Sequence, residues 1–216
     1  VSAVSAQTPW VAQRHVYGRH LCTYSIACEG DLIAHAAYPC RYRVGQGATV
    51  YWQPIEHEAA LRWVRKLVQA IRFTGQIAFD FIEEEDGALY ALECNPRATS
   101  GIHLFGADGG GALVRAFLHP QSLRRSGAVL MPQQGHSAML TAPMLAAGLA
   151  DIRSLGKLPE WQRAFRSARD VVFSRSDMMP AVEQLRVLWD AWRTSRTRGI
   201  PLVHATTIDI EWNGDV

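Results

Sequence analysis

Asp80, Glu93 and Asn95 are the residues whose types and spacing carry chemistry of their own. They fall within residues 75–97, GQIAFDFIEEEDGALYALECNPR, which the pattern predicts to be a β-hairpin. Residues 76–83 and 89–95 are rich in side chains suited to a half-buried pleated surface, and Asp86-Gly87 between them is a strong turn signal. With Asp86 and Gly87 as the central turn residues, Ile82 falls opposite Ala91 and Asp80 opposite Glu93. Strand alternation then places Ala78, Asp80, Ile82, Ala91, Glu93 and Asn95 on one face. Facing Cβ atoms in such a pair lie about 4.5–5.5 Å apart, and like charges there destabilise the sheet. A divalent cation removes the conflict. Two carboxylates and an amide oxygen are hard ligands of the kind Mg²⁺ accepts, usually together with substrate phosphates. The plainer alternative is an edge hairpin whose acids face water, as expected of Glu83, Glu84 and Glu85 around the turn. A turn of three to five residues would shift the register and could break the pairing.

An acid on a strand, a turn, and then Glu-x-Asn thirteen residues on resembles the metal-binding hairpin of the ATP-grasp superfamily. D-alanine–D-alanine ligases, biotin carboxylases and carbamoyl-phosphate synthase large subunits belong to it. The string Glu93-Cys94-Asn95-Pro96-Arg97 is closest to the carbamoyl-phosphate synthase-like branch, where E-x-N-P-R is the usual form. The resemblance implies that Asp80, Glu93 and Asn95 hold Mg²⁺ (or Mn²⁺) and that Arg97 touches the transferred phosphate. It also implies a nucleotide hinge at Gln13, Arg14, Val16 and His20. There Gln13 offers an amide, Val16 a backbone group to the adenine edge, and His20 an imidazole to the ribose in place of the commoner Glu. A plain surface strand pair is the alternative for that segment. The implied chemistry is attack of a carboxylate on the γ-phosphate of MgATP, then capture of the acyl phosphate by an amine or another nucleophile. The superfamily also uses two lysines near a glycine-rich loop. The only lysines here, Lys66 and Lys157, do not fit those positions. Both are expected upstream of Val1, which makes the upstream part of the same protein a partner and this chain the C-terminal portion, a poor catalyst alone.

At 216 residues the chain can bury a sizeable core. A formal charge of +2 argues for neither nucleic acid nor membrane as a partner. The four cysteines (Cys22, Cys28, Cys40, Cys94) show neither CxxC nor metal-finger spacing, so reduced thiols in a cytoplasm are expected. The partners expected are therefore small-molecule carboxylate and nucleophile substrates, with a homodimer compatible.

The elements that must position these residues read as α+β. Residues 10–17, 21–28 and 32–38 are expected to form an antiparallel meander, with Gly18 and Glu29-Gly30-Asp31 as its turns. Residues 41–50 read as a basic, glycine-bearing loop that returns to the sheet at Tyr51-Trp52; it could close over phosphates through Arg41 or Arg43, and a plain solvated loop is the favoured alternative. Residues 56–71 show the clearest helical period. Ala98–Gly101 and the glycine run 108–111 precede a short helix over 112–118, and close packing is the favoured reading of the run. Residues 122–126 read as a solvated basic knot, 139–150 as core, 170–174 as a strand, 180–195 as a helix stopped by Gly199, and 202–211 as a last strand. The expected organisation is a nucleotide- and metal-binding ATP-grasp subdomain over 1–120 and an accessory α+β region over 121–216. A non-catalytic nucleotide-binding module, or a structural domain with an acidic hairpin, are the competing readings.

Overall fold

The structure is a computed structural model that describes residues 5, 10–43, 49–106, 110–151, 158–206 and 208. Its elements in chain order are β1 (Arg19–Cys28), β2 (Asp31–Pro39), β3 (Tyr51–Trp52), α1 (Glu58–Ala70), β4 (Gly75–Glu83) and β5 (Leu89–Asn95). A 3₁₀ helix (Ser100–Gly106) follows, then α2 (Gly111–Leu118), α3 (Pro120–Ser126), β6 (Ser137–Met139), α4 (Thr141–Asp151), α5 (Leu158–Ser167), β7 (Ala168–Asp170), α6 (Met179–Arg198) and α7 (Leu202–Ala205). The main sheet has the order β2-β1-β4-β5 and every neighbouring pair is antiparallel. The chain is thus α+β, an antiparallel sheet with packed helices.

Strand alternation divides the sheet into two faces of different character. Leu21, Ile77, Phe79 and Phe81 point to one side, where Ala60, Val64 and Val68 of α1 cover them. Those three recur every fourth residue and form the buried stripe of the helix. His57 starts α1 by accepting the Ala60 N–H through Nδ1 at 3.2 Å. On the opposite side Tyr24, Ile26, Ala36 and Tyr38 pack with Leu104 and Phe105 of the 3₁₀ helix and with Trp52. Glu29 and Gly30, with φ of 51° and 91°, form the tight turn expected between β1 and β2. Positive φ at both central residues matches the twist of paired strands.

The structure corrects several expectations. Residues 10–17 form no strand, and the meander has two strands, not three. The flank of β1 they would have joined is taken by β4. Gly18 lies so close to the end of β4 that a Cβ there would stand 2.1 Å from the Glu83 carbonyl oxygen. Tyr51-Trp52 does not return to the main sheet but pairs with β6 in a second sheet of order β3-β6-β7, in which β6 and β7 run parallel. The strand expected over 170–174 lies earlier, at Ala168–Asp170, because Asp170 turns the chain by accepting the Val172 and Phe173 N–H groups. Pro201 opens the helix α7 where a last strand was expected, and most of residues 207–216 lie outside the described residues. The basic knot is a helix, α3, whose Arg124 is paired with Asp31 at 2.8 Å and with Glu29. Of the glycine run, 108 and 109 lie outside the described residues, as do 44–48 of the basic loop.

Beyond residue 120 the chain stays in contact with the first sheet. Leu130 exchanges backbone hydrogen bonds with Ile33 and His35 at 2.9 Å each. Among the described residues no helix is long and apolar enough to cross a membrane.

Candidate functional site

The acidic hairpin reaches its register by two offsets that cancel. Its turn is one residue longer than expected: Gly87 N–H donates to the Glu84 carbonyl and Glu84 N–H to the Ala88 carbonyl, each at 3.0 Å. Glu85 and Asp86 are therefore the central residues, and Gly87 follows in the left-handed region at φ 84°. That is a three-residue loop with a glycine bulge. It sets Glu83 opposite Leu89, Ile82 opposite Tyr90 and Phe81 opposite Ala91. Ile82 thus faces Tyr90, not Ala91 as expected. The ladder then shifts between Phe81 and Asp80, where Leu92 has no partner, and Asp80 stands opposite Glu93 with Ala78 opposite Asn95. A bulge places two residues against one and re-aims the side chains beyond it. Without it, Glu93 would point to the other face.

Across the sheet Asp80 faces Cys22, and Cys22 faces Tyr38. Tyr38, Cys22, Asp80 and Glu93 therefore form one row on one face. His20 and Cys40, joined by the Cys40 N–H donating to the His20 carbonyl at 3.1 Å, stand one step along. This row floors a cavity of about 500 Å³ whose wall includes Asn95, Arg97, Thr99 and Arg43. Asp80 and Asn95 are half-buried, whereas Glu93, Arg97, Arg43 and His20 are exposed. The Arg97 guanidinium is held at the rim by donating to the Ala98 carbonyl at 3.1 Å.

Five of the expected site residues, His20, Asp80, Glu93, Asn95 and Arg97, thus line one cavity. Gln13, Arg14 and Val16 do not line it. Arg14 is held at the hairpin turn, 3.1 Å from the Glu84 carboxylate and with its guanidinium carbon 5.6 Å from the centre of the Tyr90 ring. Neither Glu83 nor Glu84 simply faces water, because Glu83 binds Arg19 at 2.6 Å and His57 at 2.9 Å. Of the two arginines in the basic loop, Arg41 pairs with Glu160 and donates to Gln53 at 3.0 Å, which leaves Arg43 at the cavity. Lys66 is on the exposed side of α1, and Lys157 lies outside the described residues.

Charge shapes the site. Burial and the nearby Arg43 push the His20 imidazole down, against an upward pull from Asp80. Cys22 and Cys40 hold their sulfurs 3.1 Å apart. The hydrogen bond from Cys22 and the Arg43 guanidinium pull the Cys40 thiol down to about 7, against burial. The same bond, with burial and the Asp80 carboxylate, pushes the Cys22 thiol up. Sequence reasoning missed this pair. The turn alone could not have found it: a two-residue turn at Glu29-Gly30 would set Cys22 against Ala37, and only the bulge that leaves Ile33 unpaired sets Cys22 against Tyr38, with Cys40 two residues further on the same face.

Among the described residues no three His, Cys, Asp or Glu side chains come together as a metal cluster. The donor set facing the cavity is two carboxylates, Asp80 and Glu93, and the Asn95 amide oxygen. Such oxygens suit a small hard cation that keeps part of its water and takes phosphate oxygens as its remaining ligands.

Comparison with protein-family models and with curated proteins gives no match. Among solved structures, N5-carboxyaminoimidazole synthetase from Staphylococcus aureus complexed with ADP is similar at 16% identity and a TM-score of 0.32, over 40% of this chain and 25% of that one. The biotin carboxylase domain of a single-chain bacterial carboxylase is similar at 20% identity and a TM-score of 0.40, over 56% of this chain and 30% of that one. For the biotin carboxylase domain of Hydrogenobacter thermophilus 2-oxoglutarate carboxylase, with MgADP, ADP and bicarbonate, the values are 18% and 0.34, over 45% of this chain and 24% of that one. The chain thus spans less than a third of each of these structures.

Proposed function

We propose that this chain carries the metal- and phosphate-binding half of an ATP-grasp ligase site, of the carbamoyl-phosphate synthase-like branch. The reaction is ATP-dependent joining of a carboxylate to an amine or another nucleophile through an acyl phosphate. The observation that carries the reading is the row in which Asp80 faces Glu93, with Asn95 one step along and Arg97 and Arg43 on the wall of the same cavity. Every described residue that lines the cavity falls between His20 and Ser100. This supports residues 1–120 as the functional subdomain and 121–216 as accessory.

In this reading Asp80, Glu93 and Asn95 hold Mg²⁺ (or Mn²⁺), which when bound offsets the negative charge of the ATP phosphates. Arg97 offers a planar fork of donors to a phosphate oxygen, and Arg43 supplies a second positive charge across the cavity. The carboxylate oxygen forms a bond to the γ-phosphorus as the bond to the β–γ bridging oxygen breaks, and ADP leaves. The nucleophile then displaces phosphate from the acyl carbon. Three anionic groups meet in this sequence, so the fixed positive charge matters most as charge moves onto the bridging oxygen. His20 stands at the cavity edge as the ribose contact. The two phosphate-holding lysines come from the upstream part of the same protein, and the cytoplasm supplies the nucleotide.

Calorimetry on the full protein tests the reading. ADP binding is expected to strengthen when Mg²⁺ is added, and Asp80→Asn and Glu93→Gln each to weaken that coupling. Coupling of wild-type size in both variants removes the two carboxylates from the metal site.

A further inference from the structure

We infer that Cys22 and Cys40 are a redox-active dithiol, a site at which hydrogen peroxide converts two thiols to an intramolecular disulfide. The two sulfurs are 3.1 Å apart. They reach this distance through backbone register, not chance contact of mobile side chains. Cys22 faces Tyr38 in the β1–β2 ladder, and Cys40 follows Tyr38 on the same face, so the pair is a diagonal cross-strand neighbour. The Cys40 N–H bond to the His20 carbonyl, at 3.1 Å, extends the ladder past its last strand residue and fixes the backbone carrying Cys40. Closing the sulfurs to a bond length of about 2.05 Å shortens their separation by about 1 Å, and because diagonal neighbours start at the long end of disulfide reach, the end of β2 must draw in with them. Both residues are only half-buried and both line the cavity, so a small oxidant can reach them. The other two cysteines have no such arrangement: Cys28 is buried in the core, and Cys94 is exposed on the outer strand.

The Cys40 sulfur, beside the Arg43 guanidinium, attacks one peroxide oxygen. The O–O bond breaks, water leaves, and Cys40 becomes a sulfenic acid. The Cys22 sulfur then attacks the Cys40 sulfur. An S–S bond forms, the S–O bond breaks, and the hydroxyl group departs as water with the Cys22 proton. Two thiols lose two protons and two electrons, and one hydrogen peroxide is reduced to two waters. A low-molecular-weight dithiol or a thioredoxin-type protein reverses the step. The bond draws the Cys22 sulfur toward β2 and away from Asp80, its partner across β4. No nucleotide takes part, so this chemistry stands or falls apart from the ligase reading.

The test treats the reduced protein with equimolar hydrogen peroxide, alkylates the remaining thiols and maps the peptides. Expected is a peptide pair linked through Cys22 and Cys40 that dithiothreitol separates, with Cys28 and Cys94 alkylated. The variants assign the order. Cys22→Ser is expected to leave a Cys40 sulfenic acid that dimedone traps, and Cys40→Ser to leave Cys22 without an adduct. Cys94 oxidised while Cys22 and Cys40 stay alkylated overturns the proposal. A dimedone adduct at Cys40 of the wild type without the linked pair also overturns it, because the second thiol is then out of reach.

Discussion

In the absence of a cation, Glu93→Gln is predicted to stabilise the fold; with cation bound, it is predicted to do the reverse. Asp80 and Glu93 face each other across β4 and β5 on the cavity side of the sheet. For a separation of about 5 Å, Coulomb's law gives about 0.8 kcal/mol of repulsion in bulk water and about 3 kcal/mol at an effective dielectric of about 20. Glu93 is exposed and Asp80 half-buried, which places the pair near the watery end, about 1 kcal/mol. Glu93→Gln is the cleaner change, because Asp80 also stands opposite Cys22 on β1. The assay is urea denaturation at low ionic strength, where surface repulsion is least screened. With a chelator present, the variant is expected to be up to about 1 kcal/mol more stable than wild type. With Mg²⁺ and ADP at about a hundred times the dissociation constant, wild type gains about 2.7 kcal/mol by mass action and the variant gains less. The two curves therefore exchange order. A variant less stable than wild type without metal, together with an equal gain from Mg²⁺ and ADP, would refute the claim that these carboxylates oppose each other across a cation site.

Three further predictions concern the frame around the site. Asp170 accepts the N–H groups of Thr141, Val172 and Phe173 at 2.9, 2.7 and 2.6 Å; burial raises its carboxyl, but these bonds outweigh burial and hold it low. Asp170→Ala is expected to cost about 1–2 kcal/mol near neutral pH. That gap is full above the unfolded carboxyl value of about 4 and closes as pH falls through the lower folded value, so a pH-independent gap in urea midpoints counts against it. His35 is buried, with Nδ1 2.9 Å from the Ser25 hydroxyl, and burial, with Arg65 and His57 adding, pushes its imidazole down to about 4. The unfolded chain then binds the extra proton, so stability falls between about pH 6.5 and 4, by as much as about 3 kcal/mol; His35→Gln should remove that slope, and an unchanged slope contradicts the assignment. Gly18→Ala drives a Cβ to 2.1 Å from the Glu83 carbonyl oxygen, and a loss of about 1–3 kcal/mol in denaturation is expected, whereas a neutral outcome would mean the chain does not cross β4 this closely.

Much of the site was legible because strand parity is a strong signal where one face is apolar. In β4 the run Ile77, Phe79, Phe81 marks the side that α1 covers, so Asp80 had to point the other way. The Glu29-Gly30 turn and the α1 period were legible for equally local reasons. Asp80 opposite Glu93 is correct, but the route to it differs: a longer turn and an unforeseen bulge at Leu92 compensate. No residue type announces that bulge. Residues 10–17 carry the composition of a strand, but the flank of β1 they would have joined is taken by β4, and pairing, not propensity, decides such a segment. The same holds at the other end, where Pro201 and its acceptance of the Ala205 N–H make a helical turn from residues that read as β-formers.

The two faces of the main sheet explain why the polar row sits where it does. On the α1 side, Leu21, Phe79 and Phe81 are fully buried, and a carboxylate there would be desolvated without a partner. On the other side the cover is incomplete. The 3₁₀ helix reaches the sheet at Gly101, where a Cβ would meet the Tyr24 Cβ at 2.4 Å, so backbone lies directly on the row of Tyr24. One step toward the other end of β1 the cover still reaches Tyr38 but stops there, and the rest of that row, Cys22, Asp80 and Glu93, lies open to the cavity. The cavity is the space left by that edge. The same strands therefore anchor a core at one end and present ionisable groups at the other. Rotamers in the polar row are braced by the packed rows beside it, which is the support a charged site needs to hold its geometry before a ligand arrives. A substitution that loosens the Gly101 contact would accordingly disturb Asp80 and Cys22 before it disturbs the α1 side. The two faces share a backbone, but only one of them depends on the 3₁₀ helix for its walls.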